Sequence, residues 1–289
     1  MLLIDLFIVK LIKMKRKFFC LPVFLLFTLL STKAQQHQLT KLWETDSTFK
    51  VPESVLFSPA GNTLYVSNIN GKPDEKDMVG SITKMSADGK NIQHDWAVNL
   101  SAPKGMGIYD NKLYVADLDG VAIIDLSNGK NIERIDIPGA KFLNDLTIDA
   151  GGTIYVSDSR TGKVHQIKNK MVSTYFENKM RVNGLLAEND NLYLAVKDTL
   201  YKSDKNKVLS VITTGMDESS DGIAETNNKD FIVSCWSGII YFISGNSKEV
   251  LLDTRAQKSN TADIGFDPAK NILYVPTFFN NKIVAYQLN

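Results

Sequence analysis

Six short apolar strands in this chain begin in the same register, and the residue opening each can be compared directly. These residues are Glu53, Lys104, Asn144, Asn183, Asp221 and Ala262, each two positions before an apolar residue (Val55, Met106, Leu146, Leu185, Ile223 and Ile264). Four of the six carry side-chain oxygen, two as carboxylates and two as carboxamides. Calcium and magnesium take such hard oxygen donors, whereas zinc more often recruits His or Cys. The chain has three histidines and none stands in this register, so one divalent cation is expected, with calcium favoured over zinc or magnesium. Asn-Asp, Asn-Gly and Asp-Gly are also turn dipeptides wherever a loop enters a strand. The recurrence in four strands, with Glu53 among them, points to a site.

The elements that must bring these residues together are read from a repeat. An apolar strand, a turn rich in Asp, Asn and Gly, and a second strand centred on an aromatic or Leu-Tyr-Val phrase occur six times. The aromatic positions Tyr65, Tyr114, Tyr155, Tyr193, Phe231 and Tyr274 lie 49, 41, 38, 38 and 43 residues apart. That period fits one four-stranded blade. The expected fold is all-β: a six-bladed β-propeller over residues 35–289, in which the six opening residues ring a central channel. The chain ends directly after the third strand of the sixth blade, and residues 38–45 have the alternation to supply its outer strand. A charged insertion, Gly71 to Val79, lengthens the first blade and reads as a solvated loop.

In this frame Glu53 in Val-Pro-Glu-Ser-Val, Asn144 in Leu-Asn-Asp-Leu-Thr-Ile-Asp, Asn183 in Val-Asn-Gly-Leu and Asp221 in Ser-Asp-Gly-Ile resemble the metal-site motifs of the senescence marker protein and gluconolactonase family. The likeness spans about residues 40–289. It implies that Glu53, Asn183 and Asp221 hold one divalent cation, that Asn144 is a direct or outer ligand, and that Asp221 is the general base of lactone hydrolysis. Two positions depart from the pattern. Phe142 stands where sugar-lactone members often carry arginine, and Lys104 places an ammonium in the ring, where it could repel a cation or pair with Glu53 or Asp221. Lys104, Phe142 and Trp236 are expected to line the channel mouth, with Phe278 and Phe279 nearby. A small-molecule substrate is the expected partner. The alternative is a non-catalytic recognition propeller binding a ligand or protein. Leu113 to Asp117, Leu-Tyr-Val-Ala-Asp, is similar to strands of NHL-repeat proteins.

Met1 to Ala34 reads as a signal peptide: a basic cluster (Lys13, Lys15, Arg16, Lys17) precedes an apolar run from Phe18 to Leu30, followed by small residues. That run is short for a bilayer span, so a periplasmic or secreted protein without a stable membrane anchor is expected. Removal of residues 1–34 leaves 27 basic and 31 acidic residues, a net charge of −4. Without a basic excess there is no case for nucleic-acid binding. Only Cys235 then remains, so it can form no intramolecular disulfide. A buried structural role is expected for it, since no second cysteine and no Gly-x-Ser-x-Gly elbow accompanies it. Asp117 to Gly120 and Asp158 to Gly162 read as hairpin turns rather than calcium loops.

Overall fold

The computed structural model describes residues 37–289, which form one compact unit; the signal peptide expected at 1–34 lies outside them. The described chain makes six four-stranded antiparallel sheets and is the expected six-bladed β-propeller. In the first blade the strands are Pro52–Ser58, Thr63–Asn68, Gly80–Ser86 and Gln93–Leu100, ordered from the channel outward. Blades two to five open with Pro103–Tyr109, Leu143–Ile148, Val182–Glu188 and Ser220–Glu225. The sixth has only a short inner strand, Gly265–Asp267.

The core is not one mass but six layers, each between neighbouring blades, with a small seventh cluster of Ile69, Ala102, Ala262 and Phe278 on the ring side. Tyr65, Ile82 and Trp96 of the first blade pack on Met106, Leu113 and Val115 of the second, and Tyr274, Ile283 and Ala285 of the sixth pack on Val55 and Leu64 of the first. Every sheet is therefore covered on both faces. This is why second strands such as Phe231–Cys235 are buried throughout, whereas the outer strand Ser247–Asp253 is largely open to solvent.

Two contacts close the circle. Leu39–Glu44 pairs antiparallel with Ile283–Leu288, from Leu39 opposite Leu288 to Glu44 opposite Val284, supplying the outer strand expected from residues 38–45. On the channel side, Ser54 and Asp263 form a parallel bridge, in which Asp263 N–H donates to the Glu53 carbonyl (2.9 Å) and Val55 N–H to the Asp263 carbonyl (3.2 Å). The hairpin turns at 117–120 and 158–162 are present as expected.

Removing the chain up to Glu44 strips the partner from Ile283–Leu288 and exposes a sheet edge. Thermal unfolding of that truncation is expected to fall by about 10 °C, with concentration-dependent association in light scattering. An unchanged midpoint would show that the terminal strand does not close the ring.

Candidate functional site

The channel strands of blades one to five open with a register shift at the ring position. The shifts fall between Pro52 and Ser54, Pro103 and Met106, Leu143 and Leu146, Val182 and Leu185, and Ser220 and Ile223. A bulge frees a backbone N–H and re-aims the side chain beside it. In blades one, three and five a second-strand serine takes up the freed donor: Ser67 Oγ accepts from Ser54 N–H (3.0 Å), Ser157 Oγ from Asp145 N–H (2.9 Å), and Ser234 Oγ from Gly222 N–H (2.9 Å). In blades two and three the segment entering the ring position is pinned from the second strand as well. Asp117 accepts from Ser101 and Ala102 N–H (2.8 Å each), and Asp158 from Lys141 and Phe142 N–H (2.8 and 3.2 Å). The Asp ending the phrase Leu-Tyr-Val-Ala-Asp is thus a clamp on the incoming chain.

Glu53 and Asp221 are buried in the ring, and desolvation pushes both carboxyl pKa values well up; the charge of Asp221 adds to the rise at Glu53, and the charge of Asp263 to that at Asp221. Asn183 is brought to them: its Nδ2 donates to Asp221 Oδ1 at 2.9 Å. Glu53 Oε2 and Asn183 Oδ1 are buried with no hydrogen-bond partner. A protein leaves such buried acceptors unpaired only at a cost, and carboxylate and carboxamide oxygens are donors of the kind a hard cation takes. Asn144 belongs to the ring but turns aside, its Nδ2 donating to Ser159 Oγ (3.2 Å), which donates to the Val182 carbonyl (2.7 Å). Among the described residues no three His, Cys, Asp or Glu side chains converge as a ready ligand set. A cation here would draw on carboxamide oxygen as well as carboxylate.

Lys104 is buried, and its ammonium is committed elsewhere than to the ring carboxylates. Nζ donates to the carbonyls of Pro73 and Ala102 (3.0 Å each) and lies 4.5 Å from the centre of the Phe142 ring. Burial pulls its pKa down to about 8, opposed chiefly by the charge of Glu53. The loop from Gly71 to Val79 is the solvated loop expected from the sequence, with contacts the sequence did not show. It is exposed, yet it crosses to two neighbouring blades: besides Pro73 on Lys104, Asp74 pairs with Arg160 (3.3 Å) and Lys76 with Asp119 (2.8 Å). A loop's own composition does not say which blade it will meet.

Two carboxylates escaped the sequence reading. Asp145 and Asp263 stand one position beyond Asn144 and Ala262. Asp145 accepts from Leu146 and Leu185 N–H (2.6 Å each), tying blade three to blade four, and Asp263 accepts from Ser54 Oγ (2.5 Å). Gly105 and Gly222 make the room, since a Cβ at either would overlap the Asp145 or Asp263 carboxylate. Asp145 and Asp263 also line a cavity of about 430 Å³ at the opposite mouth. Asp263 keeps a partly accessible edge there, but the protein around its carboxyl group governs its titration and pushes its pKa up to about 7. Asp145 moves the same way, through burial and the charge of Asp263. The signal was the Asn-Asp and Ala-Asp pairs aligned in the same repeat.

The mouth on the ring side is aromatic over blades five and six. Trp236 meets Phe278 and Phe279 edge-to-face, at 5.6 and 6.0 Å between ring centres. Phe142, on blade three, is half-buried beneath Lys104 and Arg160. Cys235 is buried, its thiol pKa raised by desolvation, as suits a structural role.

Comparison with known proteins adds the fold and no more. The chain is similar in structure to a provisionally named gluconolactonase (TM-score 0.66, 15% identity, covering 88% of this chain and 93% of that one). It is also similar to a Staphylococcus aureus virginiamycin B lyase, solved as an inactive His-to-Ala variant with quinupristin (0.63, 13%, 88% and 100%), and to a streptogramin B lyase (0.60, 14%, 88% and 98%). No family model matches the sequence, and no curated protein does. At these identities the likeness establishes a shared propeller and leaves the chemistry to the residues of this chain.

The raised carboxyl groups give stability a defined pH dependence. Between the ordinary aspartate pKa near 4 and about 7, the folded chain keeps the Asp263 proton that the unfolded chain has released. Stability therefore falls as pH rises through that window, with Glu53, Asp145 and Asp221 acting in the same sense. Lys104 opposes this only above pH 8. In chelator-treated buffer the thermal midpoint is expected to drop between pH 5 and 7.5; a flat profile would contradict the buried acid cluster. Gly105→Ala, by displacing Asp145, is expected to cost about 2 kcal/mol in urea unfolding.

Proposed function

We propose that this chain is an exported, divalent-cation-dependent hydrolase of a lactone or related ester, working in the ring-side mouth of the channel. The observation that carries the reading is the buried pair of unpartnered oxygens, Glu53 Oε2 and Asn183 Oδ1, beside Asp221. Glu53, Asn183 and Asp221 would hold the cation, calcium by the hardness of the donors, with Asn144 as an outer ligand. When bound, such an ion polarises a carbonyl and lowers the pKa of water.

Asp221 is the general base. It takes a proton from the attacking water as the new C–O bond forms at the lactone carbonyl; the ring C–O bond then breaks, and the alkoxide picks up a proton to give a hydroxy acid. The Asn183 amide, donating to Oδ1, leaves Oδ2 of Asp221 as the free acceptor and fixes its direction. Burial strengthens these interactions by excluding water. The Lys104 ammonium, bonded to two carbonyls, contributes positive potential near Glu53 rather than a direct contact with it. The virginiamycin B lyase comparison stops at the fold: its inactivating change is at a histidine, whereas no histidine stands in the ring of this chain. The gluconolactonase likeness, itself only structural, agrees with the hydrolase reading.

Purified protein is expected to contain about one divalent cation, as one set of donors implies. Calcium added to chelated protein should raise the thermal midpoint by about 5–10 °C at saturating concentration. Glu53→Gln and Asp221→Asn should abolish that response, and Asp221→Asn should cut lactone hydrolysis by about 10²–10⁴-fold. A metal-free protein indifferent to calcium, zinc and manganese would overturn the hydrolase reading in favour of a recognition propeller.

A further inference from the structure

The ring has one apolar position, Ala262, and the aromatic cluster stands over it. Ala262 is buried against Phe278, Ala102 and Ile69, with Val51 at the edge. Phe278 lies in the short turn Phe278–Asn280, which packs beside the strand carrying Glu53. Trp236 follows directly on the strand paired with that of Asp221, and its N–H donates to the Ser219 carbonyl (2.8 Å). The cluster therefore spans the gap between the two ring carboxylates, on the side where the ring offers no polar group.

Two backbone outliers hold it there. Phe278 has φ of +48° and Val51 has φ of +55°. The left-handed region is costly for bulky and β-branched side chains and persists only where surrounding contacts enforce it. The enforcing contacts join the two: Val51 N–H donates to Asn281 Oδ1 (2.8 Å), and Phe49 N–H to the Asn281 carbonyl (3.3 Å). Phe278, nearly buried, forms the floor. Above it Phe279 is 63% exposed and Trp236 39% exposed, in a fixed edge-to-face arrangement. Exposed rings held rigid at the lip of a polar site lose little entropy when they cover a ligand.

We infer that Trp236 and Phe279, seated on Phe278, form the subsite for an apolar substituent, so that the substrate is an alkyl- or aryl-substituted lactone rather than a polyhydroxylated one. This rests on the hydrolase reading for its chemistry, but the subsite can be tested without turnover. A hydroxylated substituent would leave its hydroxyls unpaired against the exposed aromatic faces of Trp236 and Phe279, whereas an alkyl tail loses only water there.

The test uses δ-valerolactone, δ-decalactone, which is the same ring bearing a pentyl tail, and D-glucono-δ-lactone, with the calcium-loaded full protein. At roughly fourfold per buried methylene, covering two or three carbons of the tail should give δ-decalactone a kcat/KM about 30-fold above δ-valerolactone. Glucono-δ-lactone should be the poorest of the three. In Trp236→Ala and Phe279→Ala that 30-fold ratio should collapse to below about fivefold, mainly through KM, while Trp236→Phe should keep most of it. Both side chains are exposed, so neither truncation opens a core cavity.

Binding is read separately with 3-pentylcyclohexanone, in which a methylene replaces the ring oxygen. It should quench tryptophan emission in the wild type, with affinity lost in Phe279→Ala. If the ketone binds in this way but no lactone is turned over, the subsite stands and the hydrolase reading fails. If lactones are hydrolysed with a ratio near one, or with glucono-δ-lactone preferred, and the Trp236 and Phe279 variants leave the ratio unchanged, the subsite is overturned while the hydrolase reading survives.

Discussion

Four carboxylates, from Glu53, Asp145, Asp221 and Asp263, share one protein-walled channel whose one buried ammonium, that of Lys104, is bonded to backbone carbonyls. Four negative charges cannot all persist in such a space without compensation. The chain can answer by keeping protons on some of them, as the upward shifts in their pKa values indicate, or by taking up a cation. The rest of the channel follows from this constraint. Glycines stand where the carboxylates need room, serines cap the N–H groups the bulges release, and two acceptors are left unpaired.

The four acids divide into two pairs by the work they do. Asp145 and Asp263 accept hydrogen bonds from the next blade in the circle, so they are stitches of the propeller as well as charges in its channel. Glu53 has an oxygen without any partner, and Asp221 meets only a carboxamide from blade four. The first pair is satisfied by the protein and the second is open to a ligand. This division within a single acid cluster is why the proposed chemistry is assigned to the ring-side mouth.

That mouth is unequal around its circumference. Over blades one to three it is charged, with the loop from Gly71 to Val79 bonded to Lys104, Arg160 and Asp119. Over blades five and six it is aromatic, and the strained backbone at Val51 and Phe278 keeps it so. On the proposed reading, a ligand entering such a mouth would be oriented before it reached the ring, its apolar end toward blade six and its polar end toward Glu53 and Asp221.

The six-fold repeat, written in the spacing of Tyr65, Tyr114, Tyr155, Tyr193, Phe231 and Tyr274, was enough to give the propeller and the register of its ring, because a blade buries both its faces only by repeating. The closing strand from the N-terminus was legible for the same reason: an incomplete sixth blade requires one. Local pattern could not show where the Lys104 ammonium points, that Asn144 turns to Ser159, or that the charged insertion crosses to its neighbours. Nor could it separate Asp145 and Asp263 from ordinary turn aspartates. Most of those outcomes depend on contacts between blades, as in the 40-residue span from Asp145 to Leu185, and burial and partner are properties of the closed circle, not of any segment within it.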